Sequence, residues 1–252
     1  MASSTIFEWN VNAFIVSGKH SYCVYVNAAT PIVSVEFDRE EEDDGRSRNT
    51  RFFLQGSSAP GLCCSLCLQG CAPGAWLQVA CQSLGPLKNN GAVVGIDLKK
   101  VKVPAMHCDS RVQTVCADVM KLARDQIREL SPQQKGFSII LSDMCPLVSG
   151  ITTRDAVLSA ELGHRALNLA VGGGALPHSD DNVQLDGSVS ALGNNGALQP
   201  GGHLVIKLLE SEEIKEIGQI CKSVFRKTSW LRPKATRSCS REIYLICQGL
   251  RH

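Results

Sequence analysis

The chain has 252 residues, 44% hydrophobic and 20% charged, which is enough for one α/β domain with a proper core and some additional segments. It contains no run of about 18 apolar residues, so a membrane span is not expected. The net charge of +2 is too small to indicate a nucleic-acid partner by itself, because the distribution of basic residues matters more.

The first part of the chain carries the weakest structural signal. Strand-like apolar stretches occur at 14–16, 22–26 and 32–37, and a mostly acidic block at 38–45 follows them. Like charges in such a block normally stay solvated. The N-terminus has neither the basic and apolar regions of a signal peptide nor the arginine-rich pattern of a transit peptide. No targeting segment is therefore visible.

From residue 70 onward, helix-like and strand-like segments alternate. A short strand at 63–68 leads into this region, and further apolar strands are predicted at 92–97, 112–117, 137–141, 203–209 and 242–247. Helices are predicted at 76–83, 119–130, 153–171 and 214–225. Residues 172–196 are rich in Gly, Ser, Asn and Asp and indicate a long flexible loop. Apolar strands alternating with helices indicate an α/β fold with a mostly parallel sheet covered on both faces.

A turn of small residues, from Gly70 to Trp76 (GCAPGAW), opens the first helix of this region. Glycine lets the backbone approach a ligand because no Cβ blocks it, and the first N–H groups of a helix have no partners inside the helix. The turn is not G-x-G-x-x-G. Pro73 and Gly74 before an aromatic residue suit a ligand without a pyrophosphate, such as S-adenosylmethionine (SAM). The alternative is an ordinary strand–turn–helix junction.

Three carboxylates follow predicted strands, at the edge where ligands bind in parallel sheets. Asp97 is placed to accept hydrogen bonds from both hydroxyls of a ribose, and Asp118 to accept one from an adenine amino group. Asp143 lies shortly before Pro146, which would hold its carboxylate beside the ligand rather than in bulk solvent. The alternative for Asp97 and Asp118 is an exposed carboxylate at the end of a strand.

A lysine interrupts the otherwise apolar strand near residue 207. Lys207 is costly to bury there unless it is paired or lies at the mouth of the strand. One interpretation is a structural ion pair with Glu242 or Asp143. The other is a base for methyl transfer to a hydroxyl, because a lysine whose pKa is lowered by burial and by an adjacent sulfonium can accept the proton. The carboxylates would then orient the lysine and balance its charge.

The twelve cysteines have irregular spacing, and most lie in apolar runs, where cysteine behaves as a small buried hydrophobe. Cys64 and Cys67 have C-x-x-C spacing, but no second pair of cysteines or histidines completes a zinc set. We therefore predict no metal site. The composition fits a reducing compartment better than a disulfide scaffold.

Four motifs occur in order along the chain: GCAPGAW at 70–76, SDM at 142–144, PGGHLVIK at 200–207 and SREIY at 240–244. Together they resemble the FtsJ/RrmJ-type RNA ribose 2′-O-methyltransferases, over residues 70–252 apart from the loop at 172–196. The resemblance implies a doubly wound, Rossmann-like SAM-dependent methyltransferase sheet, mostly parallel with an antiparallel last strand.

The resemblance also implies roles for individual residues. Lys207 would be the catalytic base, and Asp143 and Glu242 would complete the catalytic site. The implied SAM contacts are Gly70, Pro73, Gly74, Trp76, Asp97, Asp118 and Asp143. A basic segment free of acids before Glu242 could bind RNA phosphates through Arg232, Lys234, Arg237 and Arg241. The alternative for that segment is a solvated loop, and the cluster formed by Lys99, Lys100 and Lys102 is interpreted as solvated.

The implied reaction is methyl transfer from SAM to a ribose 2′-hydroxyl, with a uridine of large-subunit ribosomal RNA as the leading substrate. The expected partner is ribosomal RNA or a ribosomal particle, and the expected state is a monomer without membrane contact. The motifs are most similar to the bacterial and organellar large-subunit ribosomal RNA branch of the family, which implies an organellar location, in a mitochondrion or plastid, and otherwise a cytoplasmic one.

Two departures from the family lie upstream of residue 70. The family has a catalytic lysine ahead of the turn, whereas no lysine lies between Lys19 and Lys88 here. Arg51 is a candidate replacement, but an argininium cannot act as a base. The family also has an acid two residues before the first glycine, where this chain has Leu68. We therefore predict that residues 1–69 form an atypical segment, poorly ordered or aberrant, ahead of the methyltransferase domain at 70–252.

Two further functions stay open, and the missing lysine favours the first of them. One is a SAM- and RNA-binding assembly protein with impaired catalysis. The other is an O-methyltransferase acting on small molecules, which would need a segment that caps the substrate.

Overall fold

The computed structural model describes residues 64–84, 87, 91–103, 105, 107–172, 196–232 and 240–251, and the backbone of short strands between residues 16 and 55. These short strands are β1 (Val16–Ser17), β2 (His20–Ser21), β3 (Cys23–Asn27), β4 (Ile32–Phe37) and β5 (Thr50–Gln55). β1 and β2 form an antiparallel pair, and β3, β4 and β5 form an antiparallel sheet in that order. The strands predicted at 22–26 and 32–37 correspond to β3 and β4. Residues 14 and 15 of the first predicted strand lie outside the described residues.

A seven-stranded sheet forms the centre of the rest of the chain. Its strands are β6 (Ser65–Gln69), β7 (Ala92–Asp97), β8 (Val112–Cys116), β9 (Phe137–Ser142), β10 (Leu198–Leu209), β11 (Phe225–Leu231) and β12 (Glu242–Leu250). The helices are α1 (Ala75–Ser83), α2 (Arg124–Glu129), α3 (Thr152–Val171) and α4 (Ile214–Val224). The strand order is β11-β12-β10-β9-β6-β7-β8, and only β12 runs antiparallel to its neighbours in this sheet. The predicted mostly parallel, doubly wound sheet is confirmed.

Both faces of this sheet are covered, which explains why its strands are apolar along their length. One face packs against α1, through residues such as Leu77. The opposite face packs against α2, α3 and α4, through residues such as Ile127, Leu167 and Ile217. β6 is buried throughout and pairs with both β7 and β9, so it lies at the centre of the sheet, just before the boundary drawn at residue 70.

The predicted end of α4 at residue 225 is wrong, and β11 was not predicted. The helix ends at Val224, and the chain continues directly as an edge strand that pairs with β12. Phe225 and Leu231 are buried at the two ends of β11, while Arg226 and Lys227 are exposed. Basic side chains are typical of edge strands, because they discourage pairing with other chains. They also obscured the strand pattern in the sequence.

Two other boundaries differ from the predictions. α2 covers only 124–129 of the helix predicted at 119–130, because the chain first turns at Asp118, whose carboxylate accepts a hydrogen bond from the N–H of Met120 at 3.0 Å. β10 begins at Leu198 rather than at 203, and its register with β9 shifts between Leu198 and His203. A β-bulge of this kind breaks the period-two pattern on which strand prediction depends. Of the loop predicted at 172–196, residues 173–195 lie outside the described residues.

Gln69 is a buried amide at the end of β6. The side chain is fully buried, and neither its Oε1 nor its Nε2 has a hydrogen-bond partner among the described residues. Replacing Gln69 with leucine is expected to raise the free energy of unfolding by about 1–3 kcal/mol, because an unpaired buried polar group costs its full desolvation energy. Chemical denaturation of the purified protein measures this change.

Gln199→Leu is the matched control for the Gln69 substitution. The Gln199 amide donates a hydrogen bond to the carbonyl of Gly136 at 2.8 Å, so its loss is expected to lower the free energy of unfolding by about 1 kcal/mol. Two substitutions with the same chemistry should thus act in opposite directions. If both substitutions destabilise the protein, the Gln69 amide makes a hydrogen bond in the folded protein after all.

Candidate active site

The carboxyl ends of β6, β7 and β9 meet at one edge of the sheet and bring the predicted site residues together. The N–H of Gly70 donates to the carbonyl of Ile96 at 2.9 Å, which ties the turn after β6 to the last part of β7. The N–H of Asp143 donates to the carbonyl of Gln69 at 2.9 Å, which ties the end of β9 to the same turn. The backbone therefore fixes Asp143 beside the 70–76 turn.

Gly70 is required by this close approach. Its φ is +76°, and a Cβ added there would lie 3.0 Å from the backbone nitrogen of Met144 and 3.1 Å from the carbonyl carbon of Asp143. Those contacts are with backbone, which cannot rotate away as a flexible side chain does. A side chain at this position must therefore displace either the turn or Asp143.

We expect Gly70→Ala to weaken SAM binding about tenfold or more, because a small displacement of site groups has large effects. Gly201→Ala is the matched control, since Gly201 has an almost identical φ of +77° but no atom within 4 Å of an added Cβ. Both variants carry the strain of a left-handed residue, and only the first carries the steric clash. Equilibrium binding of SAM to both variants separates these effects. Equal losses in the two variants would contradict the proposed role of the clash.

The N-terminus of α1 faces this edge without a capping side chain. Gly74 precedes the helix with φ 116°, and no side chain of the described residues hydrogen-bonds to the first turn. Trp76 is partly buried and packs against the core, so its ring is held in place, and Pro73 is exposed. Unpaired N–H groups, a glycine turn and a fixed indole fit a compact nucleoside ligand such as SAM.

Asp97 orients the 70–76 turn through its carboxylate. One carboxylate oxygen accepts the N–H of Ala72 at 2.8 Å, and the other accepts the N–H of Lys99 at 2.9 Å. A carboxylate oxygen can accept more than one hydrogen bond, so capacity for ribose hydroxyls remains. Asp118 is oriented in the same way by the Met120 N–H, and the Lys121 ammonium lies 3.7 Å from its other oxygen.

Lys207 and Asp143 form an ion pair at the end of the sheet. The Lys207 Nζ lies 2.8 Å from the Asp143 Oδ1, and the two side chains are only 11% and 23% exposed. The ion pair that the sequence left open is therefore made with Asp143. Through Asp143, which is hydrogen-bonded to the residue before the glycine turn, the pair is joined to the turn.

Glu242 lies on the same face of the sheet as Lys207. In the antiparallel register of β10 and β12, Lys207 is opposite Tyr244 and Leu209 is opposite Glu242. Side chains two positions apart on one strand share a face, so Glu242 is a diagonal neighbour of Lys207. Its charge raises the pKa of Lys207, which places the carboxylate within electrostatic range. The structure thus brings Lys207, Asp143 and Glu242 together.

The sequence-based expectation was a Lys207 pKa lowered by burial and by an adjacent sulfonium, whereas in the ion pair the net shift of this pKa is upward. Burial lowers this pKa in part, but the Asp143 carboxylate, followed by Cys145 and Glu242, raises it above its ordinary value. Burial raises the pKa of Asp143, although Lys207 partly opposes this. Between the two pKa values the proton lies on the lysine, so the amine must lose it before it can act as a base.

The predicted RNA-binding residues are only partly described. Arg232 is exposed, and its guanidinium donates to the Glu210 carboxylate and to the carbonyl of Ser240. Arg241 donates to the carbonyl of Thr152 at 3.2 Å. Lys234 and Arg237 lie outside the described residues. The role of these four residues in RNA binding stays a prediction.

Sequence analysis missed Asp155, a buried acid in the first turn of α3. Its carboxylate accepts hydrogen bonds from the Ser149 N–H at 2.9 Å, the Ser149 hydroxyl at 2.7 Å and the Gly150 N–H at 3.2 Å. The hydrogen bonds from Ser149 lower the pKa of Asp155. The available signal was an acid in a first helical turn, six residues after a serine that is followed by glycine. This anchor fixes the loop that follows the active-site strand β9.

The structure adds two findings on metals and membranes. Cys64 packs into the core on the α1 face of the sheet and Cys67 into the core on the other face, so one ion cannot be bound by both. Among the described residues, no group of three or more metal-ligating side chains is assembled. In the same part of the chain, no helix is long and apolar enough to cross a membrane.

Comparisons with known proteins agree with this geometry. A model of the FtsJ-like methyltransferase family matches residues 65–250. Ribosomal RNA large subunit methyltransferase E of Syntrophobacter fumaroxidans is 34% identical over 182 residues, covering 72% of this chain and 76% of the relative. The protein of the same name from Desulfatibacillum aliphaticivorans is 32% identical over 177 residues, 70% of each chain.

A solved structure supports the fold. The crystal structure of a ribosomal RNA methyltransferase from Plasmodium falciparum matches with a TM-score of 0.51 at 21% identity, covering 74% of this chain and 86% of the other. The resemblance drawn from the four motifs and the predicted Rossmann-like sheet are thereby confirmed. The chain belongs to the FtsJ-like methyltransferase family, and its cofactor is SAM.

Proposed function

We propose that this protein transfers a methyl group from SAM to a ribose 2′-hydroxyl of RNA, with a uridine of large-subunit ribosomal RNA as the substrate. The observation that carries the proposal is the partly buried ion pair of Lys207 and Asp143, 2.8 Å apart, in which Asp143 is hydrogen-bonded to the residue before the glycine turn. The two relatives named as ribosomal RNA large subunit methyltransferases support the choice of RNA.

The residues around the turn would hold the cofactor. Gly70, Pro73, Gly74 and Trp76 would contact SAM along the turn. Three carboxylates would also contact SAM. Asp97 would accept hydrogen bonds from the ribose hydroxyls, Asp118 would accept one from the adenine amino group, and Asp143 would lie beside the cofactor. When bound, SAM supplies an electrophilic methyl group on a positively charged sulfur.

Lys207 would act on the nucleophile. Its neutral amine would accept the proton of the 2′-hydroxyl, so that an O–H bond breaks and an N–H bond forms at the Lys207 Nζ. Asp143 and Glu242 then stabilise the ammonium that results, because both carboxylates act on it through space. Burial of the pair strengthens these interactions relative to water.

The substrate would be held mainly through its phosphates. Arg232, Lys234, Arg237 and Arg241 would supply positive charge near the catalytic lysine, and such contacts make RNA affinity dependent on salt. Sequence-specific RNA recognition mostly targets unstacked or single-stranded nucleotides, since side chains cannot read the deep, narrow major groove of an A-form helix. The monomeric state, the ribosomal particle as a partner and the organellar or cytoplasmic location stay predictions.

The test is transfer of labelled methyl from SAM to large-subunit ribosomal RNA, offered both free and in ribosomal particles. Ribose methylation blocks alkaline cleavage at the modified nucleotide, so an alkali-resistant labelled dinucleotide is the expected product. Label on a base instead would overturn the ribose assignment. SAM binding without any methyl transfer would support the alternative function, an assembly protein with impaired catalysis. The observation that favours this alternative is that no lysine lies between Lys19 and Lys88.

A further inference from the structure

An exposed group of apolar side chains lies on the loop between β9 and α3. Leu147 is 95% exposed, Val148 is 68% exposed and Ile151 is 56% exposed. We call these three residues the apolar lip. Large exposed apolar side chains concentrated in one short loop are a candidate binding surface, because exposed apolar patches on globular proteins commonly mark interaction sites.

The apolar lip is next to the catalytic pair. Leu147 follows Asp143 by four residues, so their Cα atoms are at most about 14 Å apart. Desolvation raises the pKa of the Cys145 thiol, which lies between them in the chain, and the charges of Lys207 and Glu242 also act on it. A group bound at Lys207 is therefore within reach of the lip.

The lip is also held rigidly. The Asp155 carboxylate binds Ser149 and Gly150 through three hydrogen bonds, and the N–H of Asp155 donates to the carbonyl of Ile151 at 3.0 Å. The groups that anchor the loop are thus backbone groups and the Ser149 hydroxyl, while the Leu147 and Val148 side chains are exposed to solvent. A fixed loop that exposes apolar side chains loses little conformational entropy when a ligand covers them.

The charges around the lip suit an RNA chain. Residues 144–154 contain no acid, and the exposed Arg154 closes the segment. The Arg241 guanidinium is held on the carbonyl of Thr152 at 3.2 Å, directly after the lip. Apolar side chains flanked by cations match a nucleotide, which presents an apolar base face and anionic phosphates.

We propose that the apolar lip packs against an unstacked nucleobase of the RNA, at or beside the nucleotide whose ribose reaches Lys207. The proposal rests on the proposed function, because it takes the ligand at Lys207 to be RNA. Leucine, isoleucine and similar side chains are known to insert between bases and to stabilise an unstacked arrangement. The lip would thereby select single-stranded or flipped nucleotides and position the ribose.

The test compares binding of a short oligouridylate with binding of an abasic oligomer of equal length, by fluorescence anisotropy. The variant is Leu147→Ala/Val148→Ala. Leu87→Ala is the matched control, because Leu87 is 60% exposed but lies in the connection from α1 to β7, at the opposite edge of the sheet. Both substitutions remove exposed side chains, and equal melting temperatures will confirm that folding is unchanged.

The wild-type protein is expected to bind the oligomer with bases more tightly than the abasic oligomer. In the lip variant the ratio of these two affinities is expected to fall about fivefold to tenfold. Affinity for the abasic oligomer should stay the same in both variants. An unchanged preference, an equal loss for both oligomers, or no binding of either by the wild type would overturn the proposal. Self-association of the wild type that the lip variant abolishes would also overturn it, because the lip would then be a contact between copies.

The alkali-resistance assay keeps this proposal distinct from the proposed function. Base-dependent binding through the lip without ribose methylation would overturn the proposed function alone. Ribose methylation with a base preference that the lip variant retains would overturn the lip alone.

Discussion

Replacing Lys207 with arginine is expected to reduce methyl transfer about 10²- to 10⁴-fold, the range associated with loss of a general base. Arginine can keep the positive charge and the pairing with Asp143, but it cannot lose its proton in a protein. The substitution therefore separates a structural ion pair from a base. Single-turnover transfer of labelled methyl to RNA at saturating SAM measures the chemical step.

Two companion variants make this result interpretable. Lys207→Met removes both the charge and the base, and is expected to be at least as inactive as Lys207→Arg. Lys215→Met removes a lysine that is 69% exposed and paired with Glu212, and is expected to keep full activity. If Lys207→Arg transfers methyl at the wild-type rate, Lys207 is a structural cation and the base lies elsewhere.

The rate of the chemical step is expected to rise with pH, and Asp143→Asn is expected to move the midpoint of that rise to lower pH. Lys207 acts as a base only when neutral, so below its pKa the active fraction increases about tenfold per pH unit. The Asp143 carboxylate raises this pKa while burial lowers it. Removing the carboxylate leaves the effect of burial, and the pKa of Lys207 falls. A pH–rate profile at saturating SAM and RNA measures the shift.

Glu212→Gln is the matched control for this shift. It changes the net charge by the same amount, but the Glu212 side chain is 82% exposed, so solvent screens its effect on Lys207. Its profile should overlay that of the wild type. A profile of Asp143→Asn with an unchanged midpoint would show that a group other than Lys207 controls the pH dependence, whatever happens to the maximal rate.

Much of the site follows from one rule that a sequence can reveal. Parallel strands all end at the same edge of their sheet, so the positions of Gly70, Asp97, Asp118 and Asp143 after predicted strands were enough to group them. The glycine turn was informative because only a residue without a Cβ tolerates the contact that Gly70 makes with the end of β9. Neither inference needed the strand order.

Other features were not accessible from the sequence. β11 carries exposed basic residues and follows α4 without a loop, so its pattern was interpreted as the end of a helix and a basic segment. The direction of the net pKa shift of Lys207 was also missed, because burial and a partner carboxylate act in opposite senses. The balance between them depends on a distance that the sequence does not contain.

The order of residues along the chain determined the alternation of strands and helices, the glycine turn and the set of acids at one edge, since each is a local pattern or follows from parallel pairing. Only the tertiary structure decided that β10 lies between β9 and β12. In this order the Lys207 Nζ lies 2.8 Å from the Asp143 Oδ1, and Glu242 is a diagonal neighbour of Lys207. The tertiary structure also decided that Asp155 holds the loop that exposes Leu147. Strand order and register join residues far apart in the chain, and no local pattern encodes such contacts.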